Sequence, residues 1–257
     1  MKKLLFIINP MAGRQQAQTD LYKMVKIFAD HDYEVTVYPT RARLDCTRKV
    51  LEDAGRFDLV VCCGGDGTLN EMVSGMMQRQ DRRPMGYIPL GSTNDLAVSL
   101  RLPTRVEEAA LRALRGKLQL SEAALRAVTG NEFHMDVGTL NDRYFNYIAA
   151  FGAFTETSYA TPQEIKNALG HLAYILEGVK SLGKILPIHV KITADDEQFE
   201  EDYLFGAVTN TISLGGVLKL DPEKVLLDDG MYELLLVKNP TNALEAQAML
   251  TAIMTQN

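Results

Sequence analysis

A short glycine-rich segment carrying one acid is the strongest chemical signal in the chain. It reads Gly64-Gly65-Asp66-Gly67-Thr68 and follows an apolar run. Glycines let a backbone turn tightly and bring its N–H groups close to a phosphate. Asp66 would repel a phosphate unless a metal ion or a transferable proton lies between them, so its presence predicts catalysis rather than passive anion binding. The competing interpretation is a tight Asp-Gly turn with a threonine cap.

Three other polar segments could act with this one, although each also has a purely structural interpretation. Asn9-Pro10-Met11-Ala12-Gly13 offers an amide and a glycine, and such a run alone is typical of a turn. Gly91-Ser92-Thr93-Asn94-Asp95 offers hydroxyl groups, or an N-cap for the helix that follows. Leu226-Leu227-Asp228-Asp229-Gly230-Met231 offers carboxylates and carbonyls that suit Mg²⁺, or a solvated turn.

The elements that must position these segments alternate along the first part of the chain. Apolar runs predict strands at residues 4–8, 33–38, 57–62 and 85–89. Helical spacing predicts helices at residues 21–28, 44–54, 69–78, 94–100 and 106–114. Such alternation predicts an α/β domain with a parallel sheet, whose ligands bind past the carboxyl ends of the strands. The loops that begin near Asn9, Gly64 and Gly91 should therefore share one edge of that sheet.

The pattern changes from about Lys117 onward. Strand-like segments are predicted at residues 119–128, 132–137, 143–151, 188–193, 197–209 and 231–237, and a single helix at residues 162–182. Runs of strands without alternating helices predict a second, mainly antiparallel β-rich domain. The predicted division is residues 1–116 and 117–257, with its boundary near Gly116.

Composition limits the class of protein. The 257 residues are 46% hydrophobic and carry a net charge of −6, which argues against a disordered chain and against a nucleic-acid partner. The sequence contains neither a dinucleotide-binding fingerprint nor a Walker A motif. Three cysteines without zinc spacing, and apolar runs too short for a signal peptide or a membrane span, predict a cytoplasmic protein with reduced thiols.

Taken together, four segments resemble the bacterial diacylglycerol kinase family of soluble lipid kinases, which is related to sphingosine and ceramide kinases. They are Asn9-Pro-Met-Ala-Gly13, Gly64-Gly-Asp-Gly-Thr-Leu-Asn-Glu71, Ile88-Pro-Leu-Gly-Ser-Thr-Asn-Asp95 and Leu227-Asp-Asp-Gly230. They occur in the order of the family and extend over nearly the whole chain. The resemblance implies a nucleotide-binding α/β domain, a β-rich lipid-binding domain, and a site in the cleft between them.

The resemblance also implies roles for individual residues. A structural Mg²⁺ would be held by Asp229 and the carbonyls of Leu226 and Met231, and a catalytic Mg²⁺ would bridge the ATP phosphates near Asp66, the expected catalytic residue. The expected ATP contacts are Asn9, Pro10, Met11, Ala12, Gly13, Thr40, Gly65, Asp66, Gly67, Thr68, Leu69, Asn70, Glu71 and Ser92. Leu172, Ile175 and Leu176 are candidates to receive acyl chains, or to form core.

One departure from the family leaves alternatives open. Family members carry a later D-G-E segment whose Glu is the proposed general base, whereas this sequence runs to Thr255-Gln256-Asn257 without one. We therefore expect part of a longer protein, in which Asp66 either takes the proton alone or belongs to a weak or inactive enzyme. The alternatives to a lipid kinase are a soluble kinase of the NAD kinase type and a catalytically incomplete nucleotide- or lipid-binding protein.

The expected acceptor is diacylglycerol, and phosphatidylglycerol, a polyprenol and a sphingoid base also offer a suitable hydroxyl. The resemblance further implies peripheral contact with a membrane. A homodimer is compatible with the exposed strands expected in the second domain.

Overall fold

A computed structural model describes residues 1–91, 93–100, 102, 124, 127–130, 132–152, 155, 186–215, 218–242, 244–245, 247–248 and 251. Several expectations lie outside these residues. They are the helices at 106–114 and 162–182, the domain boundary near Gly116, the expected nucleotide contact Ser92, and the acyl-chain candidates Leu172, Ile175 and Leu176.

The first part of the chain forms a four-stranded parallel sheet in the order β2-β1-β3-β4, as the alternating pattern predicts. The strands are β1 (Lys2–Ile8), β2 (Tyr33–Pro39), β3 (Leu59–Gly64) and β4 (Met85–Pro89). The connecting helices are α1 (Gln16–Asp30, after a 3-10 turn at Ala12–Gln15), α2 (Asp45–Asp53, followed by a 3-10 turn at Ala54–Arg56), α3 (Asp66–Met77) and α4 (Asp95–Ser99).

Both faces of this sheet are covered, which explains why its central strands are continuously apolar. On one face, Leu5 and Ile7 of β1 pack in a buried cluster with residues of α2 and α3. On the other face, Leu4 and Phe6 pack with Met24 and Phe28 of α1. Burial of each such side chain contributes about 1.5–3 kcal/mol, so the sheet is a rigid support for the loops at its edge.

The strand order creates a crevice at the carboxyl edge of the sheet. From β1 the chain crosses to β2 on one side, and it then crosses back to β3 on the other side of β1. The loops after β1 and β3 therefore leave in opposite directions, and ligands of open α/β sheets bind at such a switch point.

The later part of the chain is mainly antiparallel, as expected. Its central strand β9 (Glu197–Thr209) pairs with β7 (Ile148–Gly152), β8 (Ile188–Ala194) and β12 (Glu233–Lys238). Two small pairs accompany it, β5 (Gly138–Leu140) with β6 (Arg143–Phe145), and β10 (Ser213–Leu214) with β11 (Leu218–Lys219). In the described part of the chain, no helix is both long and apolar enough to cross a membrane.

Several of the predicted elements are wrong or misplaced. The strand predicted at 143–151 is two strands, β6 and β7, and α1 begins at Gln16, before its predicted start. The strand predicted at 119–128 is contradicted, because Ala124 and residues 127–129 are helical. This segment is rich in Ala, Glu, Leu and Arg, which favour helix, and Ala124 and Ala127 pack against the face of the sheet that α1 covers. Residues 132–137 form no strand. Helix α3 begins at Asp66, three residues before its predicted start, because Gly65 is its N-cap residue.

Candidate active site

The glycine loop, residues 64–68, lies at the carboxyl edge of the sheet where β3 meets α3. The N–H of Leu90 donates to the carbonyl of Gly64 at 2.7 Å, which joins this loop to the one after β4. A Cβ atom on Gly91 would lie 2.6 Å from the Cα of Gly65, so the two loops touch only because both residues are glycine. A Cβ atom on Gly67 would meet nothing within 4 Å, so there is open space beside the first turn of α3. The N-terminus of a helix is a favourable place for an anion.

The loop after β1 closes against the glycine loop. The N–H of Asn9 donates to the carbonyl of Cys63 at 2.9 Å, and its Nδ2 donates to Oγ1 of Thr68 at 3.3 Å. The Oδ1 of Asn9 accepts the N–H of Met11 at 3.0 Å, which turns the chain outward and leaves the Met11 side chain exposed. The predicted meeting of these two loops is therefore present in the fold.

The segment after β2 lies on the other side of β1. The N–H of Thr40 donates to the carbonyl of Ile8 at 2.8 Å, so Thr40 stands beside the start of the Asn9 loop. Thr40 and Asn9 are both half-buried at the same edge of the sheet.

The other predicted nucleotide contacts differ in burial and in the direction of their side chains. Leu69 is buried in the core, and Thr68 is also buried. The carboxylate of Glu71 accepts the N–H of Leu44 at 2.9 Å and that of Cys46 at 3.3 Å, so it is directed at the start of α2. The half-buried residues are Pro10, Ala12, Gly13 and Asn70.

A second carboxylate lies beside Asp66, and the sequence did not identify it as a functional residue. Asp95, the first residue of α4, is only 2% exposed. Its Oδ2 accepts the hydroxyl of Tyr147 at 2.7 Å and its Oδ1 accepts that of Ser213 at 2.5 Å. We call Asp66 and Asp95 the acid pair. The sequence signal that could have identified Asp95 is its position directly after the Gly91–Asn94 loop, in a segment that is a candidate for nucleotide contact.

The environment of the acid pair favours the protonated form of Asp66. Burial, and secondarily the charge of Asp95, raise the pKa of Asp66 to about 6. The N–H of Leu96 approaches Oδ1 of Asp66 at 3.4 Å and opposes this shift. A carboxyl group with such a pKa can exchange a proton near neutral pH.

The antiparallel region forms the opposite wall of this site. Ser99 of α4 is hydrogen-bonded through its hydroxyl to that of Thr211, and the N–H of Ile212 donates to the same Ser99 Oγ at 3.1 Å. The N–H of Gly215 donates to the Tyr147 hydroxyl at 2.7 Å. These bonds attach α4 to the antiparallel region and leave the acid pair between the two sheets.

The predicted metal ligands lie in a separate turn, residues 226–231, which we call the Asp229 loop. Oδ1 of Asp229 accepts the N–H of Met231 at 2.9 Å, and Oδ2 of Asp136 accepts the N–H of Gly230 at 2.6 Å. Among the residues that the structure describes, no three acidic, histidine or cysteine side chains converge on a common point. A cation here would depend on one carboxylate and on backbone carbonyls such as that of Leu226, a donor set compatible with Mg²⁺.

Comparison with known proteins gives one consistent answer. Residues 3–125 match the model of the diacylglycerol kinase catalytic domain. The diacylglycerol kinase of Bacillus subtilis is 36% identical over 239 residues, which cover 93% of this chain and 74% of that protein. That of Staphylococcus saprophyticus is 30% identical over 238 residues, or 92% and 73% of the two chains. A solved diacylglycerol kinase structure from Bacillus anthracis superposes with a TM-score of 0.73 at 26% identity, and the match covers 100% of this chain and 78% of that one.

Proposed function

The chain belongs to the diacylglycerol kinase family of lipid kinases, and from that premise we propose that it transfers the γ-phosphoryl group of ATP to diacylglycerol, giving phosphatidic acid. The observation that carries this proposal is the acid pair, of which Asp66 belongs to the glycine loop and begins α3. The raised pKa of Asp66, and the position of Asp95 between the parallel sheet and the antiparallel region, support the proposal of a proton acceptor next to a phosphate at this helix terminus. Family membership favours a lipid acceptor over NAD.

The proposed reaction is a single displacement at phosphorus. The acceptor hydroxyl oxygen forms a bond to the γ-phosphorus, the bond between that phosphorus and the β–γ bridging oxygen breaks, and ADP leaves. The hydroxyl proton passes to Asp66, whose pKa of about 6 leaves it mostly ionised and able to accept a proton at neutral pH. Positioning and charge stabilisation supply most of the rate in such reactions.

The fixed geometry of the site serves this displacement. Tyr147 and Ser213 each donate a hydroxyl hydrogen to Asp95, which holds that carboxylate in one orientation against Asp66. The N-terminus of α3 offers N–H groups and the positive end of its dipole to the phosphates. The hydrogen bond between Asn9 and Thr68 joins the loop after β1 to the glycine loop. Both loops would therefore contact the same phosphate.

We also propose where ATP and Mg²⁺ would bind. ATP would lie along the loops at Asn9, Thr40 and Gly65, and Mg²⁺, when bound, would neutralise charge on the phosphates. This ion would lie at the phosphates near Asp66. Asp229 with the carbonyls of Leu226 and Met231 would hold a second, structural ion. A lipid acceptor also requires transient contact between the protein and a membrane.

An acceptor panel tests this function. Purified protein would be assayed for transfer of radiolabelled phosphate from ATP to one acceptor at a time, with each lipid in mixed micelles and NAD in solution. We expect labelled phosphatidic acid from diacylglycerol at a rate at least tenfold above that with phosphatidylglycerol, a polyprenol or a sphingoid base. Preferential labelling of another lipid would replace diacylglycerol in the proposal, and labelling of NAD alone would refute it.

A further inference from the structure

Glu71 belongs to α3, yet it binds the start of α2. Its Oε1 accepts the N–H of Leu44 at 2.9 Å and its Oε2 accepts that of Cys46 at 3.3 Å. Its carbonyl also accepts the hydroxyl of Thr47 at 2.9 Å. A carboxylate at a helix N-terminus is favoured by the helix dipole, and both oxygens of this one are occupied by backbone donors.

The segment that Glu71 holds is the β2–α2 loop, residues 40–44. Its last residue, Leu44, has φ 66° and ψ 4°, a left-handed conformation that is unfavourable for a residue with a Cβ atom. The side chain of Leu44 is 60% exposed, so packing does little to enforce this conformation. The carboxylate of Glu71 therefore supplies a restraint that the local sequence does not. At the other end of the loop, Asp45 accepts the N–H of Arg41 at 2.9 Å.

The position of this loop shows which part of ATP it would meet. Phosphoryl transfer takes place at the acid pair in our proposal, where Asp66 begins α3 after β3 and Asp95 begins α4 on the β4 side of the crevice. The glycine loop that would hold the phosphates lies at the end of β3. A nucleotide that extends away from the acid pair past β1 reaches the β2–α2 loop, where Thr40 is bonded to Ile8. This loop therefore faces the nucleoside end.

We propose that Glu71 is a positioning residue, which holds the β2–α2 loop in the conformation that receives the nucleoside end of ATP without itself touching the nucleotide. The inference rests on the proposed function in taking ATP as the phosphoryl donor. Glu71 then has a different role from the ATP contact expected from the sequence, because its two carboxylate oxygens already accept the N–H groups of Leu44 and Cys46.

The first test is Glu71→Gln with MgATP binding measured by calorimetry. A glutamine keeps one acceptor but turns an NH₂ group toward the second backbone N–H, so the loop loses one bond and gains a repulsion. We expect the Kd for MgATP to rise roughly tenfold, as for loss of a charge-assisted hydrogen bond, with kcat at saturating ATP within about twofold of the original. Removing a negative charge would by itself favour ATP binding, so weaker binding reflects the loop.

A rescue experiment separates positioning from direct contact. Adding Leu44→Gly to Glu71→Gln relieves the left-handed strain, because glycine adopts this conformation without steric cost. We expect most of the lost MgATP affinity to return. Leu44→Ala in the same background removes every side-chain atom beyond Cβ but keeps the Cβ atom, and should not restore binding. Failure of Leu44→Gly to restore affinity would mean that Glu71 acts on the nucleotide directly, and the inference would be wrong.

Two further variants distinguish an effect on the conformation of the β2–α2 loop from a general loss of folding. Leu44→Val leaves Glu71 intact but puts a β-branched residue at positive φ, so it should weaken MgATP binding severalfold. Asp53→Asn removes contacts of the far end of α2 with Lys49 and Arg56, and should leave the Kd unchanged. An unchanged Kd in both Glu71→Gln and Leu44→Val would overturn the inference. Calorimetry needs no lipid, so wild-type protein that binds MgATP without phosphorylating any lipid would refute only the proposed function.

Discussion

The acid pair and the Asp229 loop place their carboxylates in opposite surroundings. Asp95 is buried and both of its oxygens accept hydroxyl groups. The nearby Asp66 is half-buried, and its pKa is raised by partial loss of water and by the charge of Asp95. Asp229 is exposed, and its Oδ1 accepts the N–H of a residue two positions further along the chain. The carboxylates of the acid pair meet side chains distant in sequence, whereas the Asp229 carboxylate bonds within its own turn.

This difference separates two kinds of acid chemistry. A carboxyl group removed from water interacts strongly with a neighbouring charge and can be tuned to exchange a proton near neutral pH. An exposed carboxylate in a turn stays hydrated and can share a cation with backbone carbonyls. We therefore expect substitutions at the acid pair to change the rate of phosphoryl transfer, and substitutions in the Asp229 loop to change the requirement for metal ion.

Apart from substitution of Asp66 itself, the largest effect should come from Asp95→Asn. The amide keeps the shape of the carboxylate, but its NH₂ group faces a hydroxyl of Tyr147 or Ser213 that must turn away, and the charge beside Asp66 is lost. We expect kcat to fall about a hundredfold and the free energy of unfolding to fall by about 1–3 kcal/mol. Steady-state kinetics and denaturant unfolding measure the two quantities.

The control for this substitution is Asp30→Asn. Asp30 is an exposed carboxylate at the end of α1 that pairs with Lys26, and both side chains are more than half exposed. It should leave both kcat and the unfolding free energy nearly unchanged. If Asp95→Asn destabilises the protein but leaves kcat intact, the acid pair is a structural contact between the two sheets.

The pH dependence should follow Asp66. Since burial and Asp95 raise its pKa to about 6, kcat/KM should decline below about pH 6, and this decline should move to lower pH in Asp95→Asn.

The stability of the fold should also depend on Asp66. Because the pKa of Asp66 is higher in the folded protein than in the unfolded one, Asp66 stabilises the fold fully below about pH 4, and this contribution is lost as the pH rises through about 6. Asp66→Asn should therefore stabilise the fold at pH 8, by up to about 3 kcal/mol. A pH-rate profile and denaturant unfolding at pH 5 and 8 check both expectations.

The smallest effect should come from Asp229→Asn. Loss of one carboxylate charge weakens a cation site without touching the acid pair, so the Mg²⁺ concentration for half-maximal rate should rise about tenfold while the maximal rate is kept. A Mg²⁺ titration of the rate measures this. The adjacent Asp228→Asn carries the same charge change and should leave the titration unaltered; equal shifts in both variants would point to general electrostatics.

The sequence predicted the parallel sheet well because burial on both faces leaves a strong apolar signal. Strand β4 (Met85–Pro89) and the long strand β9 (Glu197–Thr209) match their predicted bounds. The meeting of the loops at Asn9, Gly64 and Gly91 was also predictable, since the carboxyl ends of parallel strands share one edge.

The acid pair was not predictable in this way, because its partners are far apart along the chain. The hydrogen bond from Ser213 to Asp95 joins residues 118 positions apart, and that from Tyr147 joins residues 52 positions apart. The true orientation of Glu71 was hidden for the same reason, since its partner Leu44 lies 27 residues earlier. No local pattern reports such contacts. The strand predicted at 119–128 was wrong because short apolar patterns do not distinguish strand from helix.

The most direct test of the account is a single-turnover measurement of phosphoryl transfer from ATP to diacylglycerol by Asp66→Asn. Its matched control is Asp58→Asn, which changes a carboxylate at the opposite edge of the same sheet, where Oδ2 of Asp58 accepts the N–H of Lys3 at 2.7 Å. If Asp66 accepts the proton, the first variant should lose at least about a hundredfold in rate while the second keeps its rate. An equal rate in the two variants would contradict the role of Asp66.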